Sequence, residues 1–238
     1  MDRLLRHSDK AESNGDCVSS SVQHAKVLLT RSRDKYDTMV RVIVDPELAE
    51  ETFEVYKGVL SFHSDYIRSV LNGRFCEAQS GTIRLPTDEA ATFMYFKNWM
   101  YTREFQTSDQ PDWEALDFEQ IIRLYLFADC RRIPALANAC ITLLHQKIHQ
   151  TWLIHTDSLP LIYENTFEGS LIRRFMIDTF TKLCGSRSTE RLDSSWGEEP
   201  LRDLAKALLA RPKRETKDTF MTRDLCEYHV HQEGVRCE

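Results

Sequence analysis

The chain has 238 residues, of which 42% are hydrophobic and 29% charged, enough to close a core in one large domain or two small ones and ordinary for a globular protein. Eight Gly and seven Pro exclude collagen-like and low-complexity classes, and a net charge of −6 argues against non-specific nucleic-acid binding, which needs a concentrated basic surface. No apolar run approaches the roughly 20 residues that span a bilayer. Met1–Gly15 lacks the apolar stretch of a secretory signal, so the expected setting is reducing, cytoplasmic and/or nuclear. The seven cysteines (17, 76, 130, 140, 184, 226 and 237) are scattered and odd in number. They read mostly as buried thiols, with the last two set apart.

In chain order, residues 1–35 are mostly polar and read as a largely disordered arm, with a short apolar patch at Val27, Leu28 and Leu29. Val40, Val42 and Val44 alternate with Arg41 and Ile43, which predicts a strand broken by Asp45-Pro46. Phe53 and Val55 alternate with Glu54 and Tyr56 and predict a second strand, close enough for a hairpin. Gly58-Val59-Leu60 or Ser64-Asp65 is placed to cap a helix burying Ile67, Val70 and Leu71 and ending at Asn72-Gly73. Ile83 and Leu85 predict a third strand stopped by Pro86. Thr87-Asp88 then predicts the start of a helix with Phe93, Phe96 and Met100 on one stripe.

From residue 111 the pattern is helical. Phe118, Ile121, Ile122, Tyr125 and Leu126 share one face. Pro134 suits the first turn of a helix burying Leu136, Ala139, Cys140, Leu143 and Leu144. Ser158 and Pro160 open another segment. Ile172, Phe175, Met176, Thr179, Phe180 and Leu183 form a further face, closed by Gly185. Residues 186–200 read as a polar loop, and Leu201, Leu204, Ala205, Leu208 and Leu209 as the last amphipathic helix. The fold class is α+β: a few short strands, then an all-α extension.

Several pieces together carry a family resemblance: Tyr36-Asp37 leading into Val40–Val44, Phe53 to Leu60, Ser64 to Arg68, Gly73 to Ala78, Thr82 to Pro86, and Phe96, Trp99 to Thr102. The stretch from Tyr36 to Arg103 resembles a BTB/POZ domain, and the likeness continues more loosely through the helices to residue 150; the family pattern usually reads Phe-x-Val-His-Lys-x-x-Leu, then Ser-x-x-Phe, Phe-x-Glu, Ile-x-Leu and Tyr-Thr. Tyr56 stands in place of the His, and Ile67 or Tyr66 in place of the Phe. In length and layout the chain looks most like the compact fungal BTB proteins. The resemblance implies a BTB fold over 36–150, a helical extension over 151–215 and a Cys/His-rich tail over 216–238. It also implies a non-catalytic interaction module that associates with itself or with other proteins. The expected role is an adaptor, with the cullin-3 ubiquitin ligase as the partner class. The rival reading is a nuclear, transcription-associated protein using the tail.

Two constellations stand out. In cullin-3 adaptors a hydrophobic–x–Glu motif in the loop before this strand contacts the cullin, and Phe75-Cys76-Glu77 falls in the matching place. An exposed apolar anchor beside a carboxylate suits an interface; the alternative buries Phe75 in the domain and leaves Glu77 solvated. Tyr56 and Lys57 join this partner-binding set. Lys57 is also suited to covering apolar surface with its stem. Val27, Leu28 and Leu29 are the candidate buried arm of a homodimer.

The second constellation is Cys226, His229, His231 and Cys237, spaced C-x2-H-x-H-x5-C. Two thiols and two imidazoles suit tetrahedral zinc. His229 and His231 point the same way if extended, and the tail has little apolar surface with which to order itself without a metal. The implied cofactor is structural zinc. Arg211-Pro-Lys-Arg214-Glu-Thr-Lys217 reads as a basic, solvated helix end, with a nuclear localisation signal or an acidic-partner patch as the alternatives. His145 and His149, four apart, read as surface or interface residues. No P-loop, dinucleotide fingerprint, Gly-x-Ser-x-Gly or His-Glu-x-x-His motif appears, so no enzyme activity is expected.

Overall fold

The structure is a computed structural model and describes residues 36, 38–44, 50–105, 111–184, 196–210, 212–231 and 236–237. Val27, Leu28 and Leu29 lie outside these residues, as do the Asp45-Pro46 break and Gly185.

Strand β1 (Met39–Val44) turns its three valines inward. It pairs antiparallel with β2 (Glu51–Tyr56), matching Val42 to Phe53 and Val40 to Val55. Strand β3 (Thr82–Leu85) lies on the other side of β1 and runs parallel to it, matching Val42 to Ile83 and Val44 to Leu85. The sheet order is therefore β2-β1-β3. A parallel neighbour needs a long crossover, supplied here by α1 (Lys57–His63), α2 (Asp65–Asn72) and α3 (Cys76–Ser80). Of the predicted face of α2, Ile67 and Leu71 are buried and Val70 is only half-buried.

Helix α4 (Ala90–Thr102) buries Phe93, Phe96, Trp99 and Met100. Its N-cap is Glu89, not Thr87-Asp88, because the Asp88 carboxylate turns away to pair with Arg131. The helical stretch after residue 111 is two helices, α5 (Asp112–Ala115) and α6 (Phe118–Cys130). Asp117 and Gln120 form a reciprocal capping box between them: Asp117 accepts from the Gln120 amide at 2.7 Å, and Gln120 from the Asp117 amide at 2.9 Å. Helix α7 (Pro134–Thr151) has its proline in the first turn and packs Leu136, Cys140, Leu143 and Leu144 into the core.

A 3-10 turn at Thr156–Ser158 leads to α8 (Leu159–Glu164), then α9 (Leu171–Leu183) and α10 (Glu198–Leu209). Arg173 staples this region from within. Its guanidinium donates to the carbonyls of Tyr163 and Thr166, to the Thr166 hydroxyl and to the Glu199 carboxylate.

Residues 198–200 begin α10 and are not loop. Of the predicted stripe on α10 only Leu204 is buried; Leu201, Ala205, Leu208 and Leu209 are exposed, and Pro200 and Ala207 turn inward instead. Nor is α10 the last helix. Helix α11 (Lys217–Met221) and a 3-10 turn at Leu225–Tyr228 follow it, capped by Thr216 and Asp224. They bury Phe220 and Tyr228 completely, so the C-terminal segment has an apolar anchor of its own. One hydrophobic cluster runs from Val40 to Tyr228. No helix among the described residues is long and apolar enough to cross a membrane.

Candidate functional site

The first candidate face is the turn between α2 and α3. Ser64 starts α2 by accepting from the Ile67 amide at 3.0 Å. At its other end, Lys57 Nζ donates to the Leu71 carbonyl at 2.9 Å, satisfying an acceptor that the helix end leaves open. Tyr56 is half-buried; its backbone amide donates to the Tyr101 hydroxyl at 3.2 Å and its ring meets Tyr36 edge-on.

Gly73 then ends the helix. A Cβ there would lie 2.6 Å from the Ser69 carbonyl oxygen and 2.9 Å from the Phe75 ring, so the close approach requires glycine. The Phe75 ring is thereby held beside the turn and still stands 59% exposed. Phe75 caps α3, its carbonyl accepting from the Ala78 amide at 3.1 Å. Glu77 is half-buried, and its carboxylate accepts from the Cys76 thiol at 3.3 Å. Gly81, left-handed at φ 62°, closes α3 and leads into β3.

The second site lies at the other end of the chain, against one flank of α7. His145 is buried there, not on the surface: Nε2 donates to the Phe220 carbonyl at 2.6 Å and the two rings lie 4.3 Å apart. Burial, and then Arg223 and His149, hold its pKa below the usual imidazole value against the opposing pull of the Phe220 carbonyl and Glu215. Tyr228 donates to Asp178 at 2.9 Å. Asn138 grips Val230 from both sides, accepting from its amide at 2.8 Å and donating to its carbonyl at 3.0 Å.

These anchors bring the predicted ligands together. The ligand atoms of Cys226, His231 and Cys237 all lie within 4.8 Å of one another. The Cys237 amide donates to Cys226 Sγ at 3.3 Å, and Cys237 Sγ is 3.6 Å from His231 Nε2. His229 stands at the edge of this triad, with Nδ1 3.0 Å from Cys237 Sγ and Nε2 3.3 Å from Thr142 Oγ1. Burial and the neighbouring His231 lower the His229 pKa and favour its neutral form. Partial desolvation and the neighbouring Cys226 push the Cys237 thiol up to about 11. From the basic stretch, Arg214 donates to the Cys184 carbonyl at the end of α9 at 2.6 Å, so part of that charge serves as a helix cap. The clamp residues Asn138, Thr142 and His145 carried no motif. The signal present was a polar i, i+4, i+7 row on α7.

The comparisons bear on the first site. A family model described as BTB/POZ domain matches residues 29–148. Among solved structures, the chain is similar to the BTB (Tramtrack and Bric a brac) domain of human gigaxonin, with a TM-score of 0.35 and 16% sequence identity over 56% of this chain and 97% of that one. No curated protein matches the chain. The family match takes in the whole sheet, the Phe75 turn and nearly all of α7, and leaves the Cys/His cluster outside it. It spans half of the sequence, and this chain belongs to the BTB/POZ domain family.

Proposed function

We propose that this protein is a non-catalytic adaptor that docks a cullin-3 ubiquitin ligase scaffold through the turn carrying Phe75 and Glu77. The BTB family is one of protein–protein interaction modules whose members often dimerise. The observation that carries the finer reading is the exposure of Phe75 at a turn locked by Gly73. A large apolar ring left in water at a rigid position is a prepaid anchor: binding removes its apolar area from water without first ordering a loop. Glu77, two residues on in the first turn of α3, offers a directional acceptor. Tyr56 and Lys57 act beneath this surface, Lys57 by holding the end of α2 that presents the ring.

The same reading takes the chain to the cytoplasm or nucleus and makes Val27, Leu28 and Leu29 a dimer arm. A zinc ion at the Cys/His cluster would be structural and would leave the adaptor role unchanged. The test is a pull-down with the cullin-3 N-terminal domain. The double variant Phe75→Ala/Glu77→Ala is expected to weaken capture by about thirtyfold, the effect of losing one hot spot. No capture by the unmutated chain, or equal capture by the double variant, rejects the cullin reading.

A further inference from the structure

We infer that Cys226, His229, His231 and Cys237 form a structural zinc site that closes the C-terminal segment on itself where it lies against α7. The site is separate from the Phe75 turn and stands independently of the cullin reading. Its register is set by backbone bonds. Asn138 occupies both polar groups of Val230, the residue between the two histidines. His229 has extended backbone, at φ −100° and ψ 145°, and its ring lies 6.1 Å from that of His231. Asp224 fixes the other wall by accepting from the Cys226 amide at 2.9 Å.

The tautomer of His229 follows from its neighbours. The Thr142 hydroxyl spends its proton on the Asn138 carbonyl at 3.1 Å. Its oxygen therefore accepts from His229 Nε2–H, leaving the Nδ1 lone pair directed at Cys237 Sγ. An outer partner that fixes the imidazole in this way is the usual companion of a metal-bound histidine. Tetrahedral zinc, with legs of about 2.3 Å to sulfur and about 2.0–2.1 Å to nitrogen, has a sulfur–nitrogen edge of roughly 3.6 Å. The His231 Nε2 to Cys237 Sγ distance is 3.6 Å. His229 Nδ1 lies 3.0 Å from the same sulfur but outside the triad whose ligand atoms share a 4.8 Å span, so its ring must move toward Cys226 and His231 to become the fourth donor.

Packing does not explain why the chain comes back to this point. Beyond Tyr228 no described residue is buried, Val230 is exposed and Cys237 is exposed, yet Cys237 returns to Cys226. A metal supplies the missing cohesion. Two thiolates and two imidazoles select zinc over magnesium or calcium, which need oxygen donors. Four protein donors leave no open position for water, so the ion is structural.

The test uses the full chain. Purified protein is expected to carry about one zinc by elemental analysis. Cobalt(II) in its place should give the intense visible bands of tetrahedral coordination together with a thiolate charge-transfer band. Cys226→Ser/Cys237→Ser should fall to background, while Thr142→Val should still fill the site with zinc affinity about tenfold to a hundredfold weaker. Chelation should expose the residues after Tyr228 to protease and leave α6 and α7 protected. The proposal is overturned if added zinc does not bind above background, if the double cysteine variant keeps its metal, if cobalt gives no tetrahedral bands, or if protein isolated without oxidant contains a Cys226–Cys237 disulfide.

Discussion

The Ser64 hydroxyl donates to the Arg131 carbonyl at 2.7 Å, across 67 residues of chain. The same oxygen caps α2 by accepting from the Ile67 amide. One fully buried atom thus joins the first helical hairpin to the end of α6, where the Arg131 guanidinium pairs with Asp88 and lies over the Phe127 ring.

Ser64→Ala removes the cap and leaves a buried carbonyl without its donor. The expected cost is about 2 kcal/mol, from a lost cap and an unsatisfied acceptor together. Urea unfolding should show a lower midpoint with an unchanged slope. Ser64→Thr, which keeps the hydroxyl, should recover part of the loss.

Gly73→Ala tests how Phe75 is presented. The new methyl would collide with the Ser69 carbonyl and the Phe75 ring, so overpacking should cost about 1–3 kcal/mol. Capture of a BTB-binding partner should fall with it. Phe75→Ala is the control: its side chain is largely in water, so stability should shift by no more than about 0.5 kcal/mol while capture still falls.

His145 predicts a pH dependence. Its folded pKa lies below the ordinary value of 6.5, so the unfolded chain binds the proton more readily. Stability from the neutral ring is complete above about pH 6.5 and is lost as pH falls through the folded value. Arg223, His149 and Glu215 surround it, the first two opposing protonation and the last favouring it. Tm should drop between about pH 7.5 and pH 5.5, and His145→Gln, which keeps a donor for the Phe220 carbonyl, should flatten that part of the curve. An equally steep curve in the variant would count against the assignment.

Phe220→Ala empties the pocket under α11. A fully buried phenylalanine reduced to alanine costs about 3–5 kcal/mol. Hydrogen exchange should show that loss first in residues 216–231, with α6 amides keeping their protection.

The strands were legible because β-branched Val40, Val42 and Val44 recur at every second position around Arg41 and Ile43, and α6 because its apolar positions repeat at helical spacing. The parallel pairing of β3 was not legible: Ile83 and Leu85 mark a half-buried strand and say nothing of the neighbour the crossover gives it. Helix α10 shows the limit of periodicity. Its leucines define a stripe, but Arg173 holds Glu199 and so helps orient the helix with Pro200 and Leu204 inward and Leu208 and Leu209 outward. Phe220 and Tyr228 escaped notice because two aromatics eight residues apart form no pattern, although the Thr216 and Asp224 caps beside them were readable. Of the candidate ligands, the spacing proposed four; the folded chain gathers three closely and sets His229 at their edge. What the spacing lacked was Asn138 and Thr142, more than eighty residues upstream.

Helix α7 presents one side to α6 and, along Asn138, Thr142 and His145, another to the C-terminal segment. Each residue of an α-helix turns about 100°. Inserting or deleting a single residue midway along α7 would therefore swing one set of attachments away from the other by more than a quarter of a revolution. Loops elsewhere on the protein can lengthen or shorten at little cost, whereas the spacing along this helix tolerates no change in number.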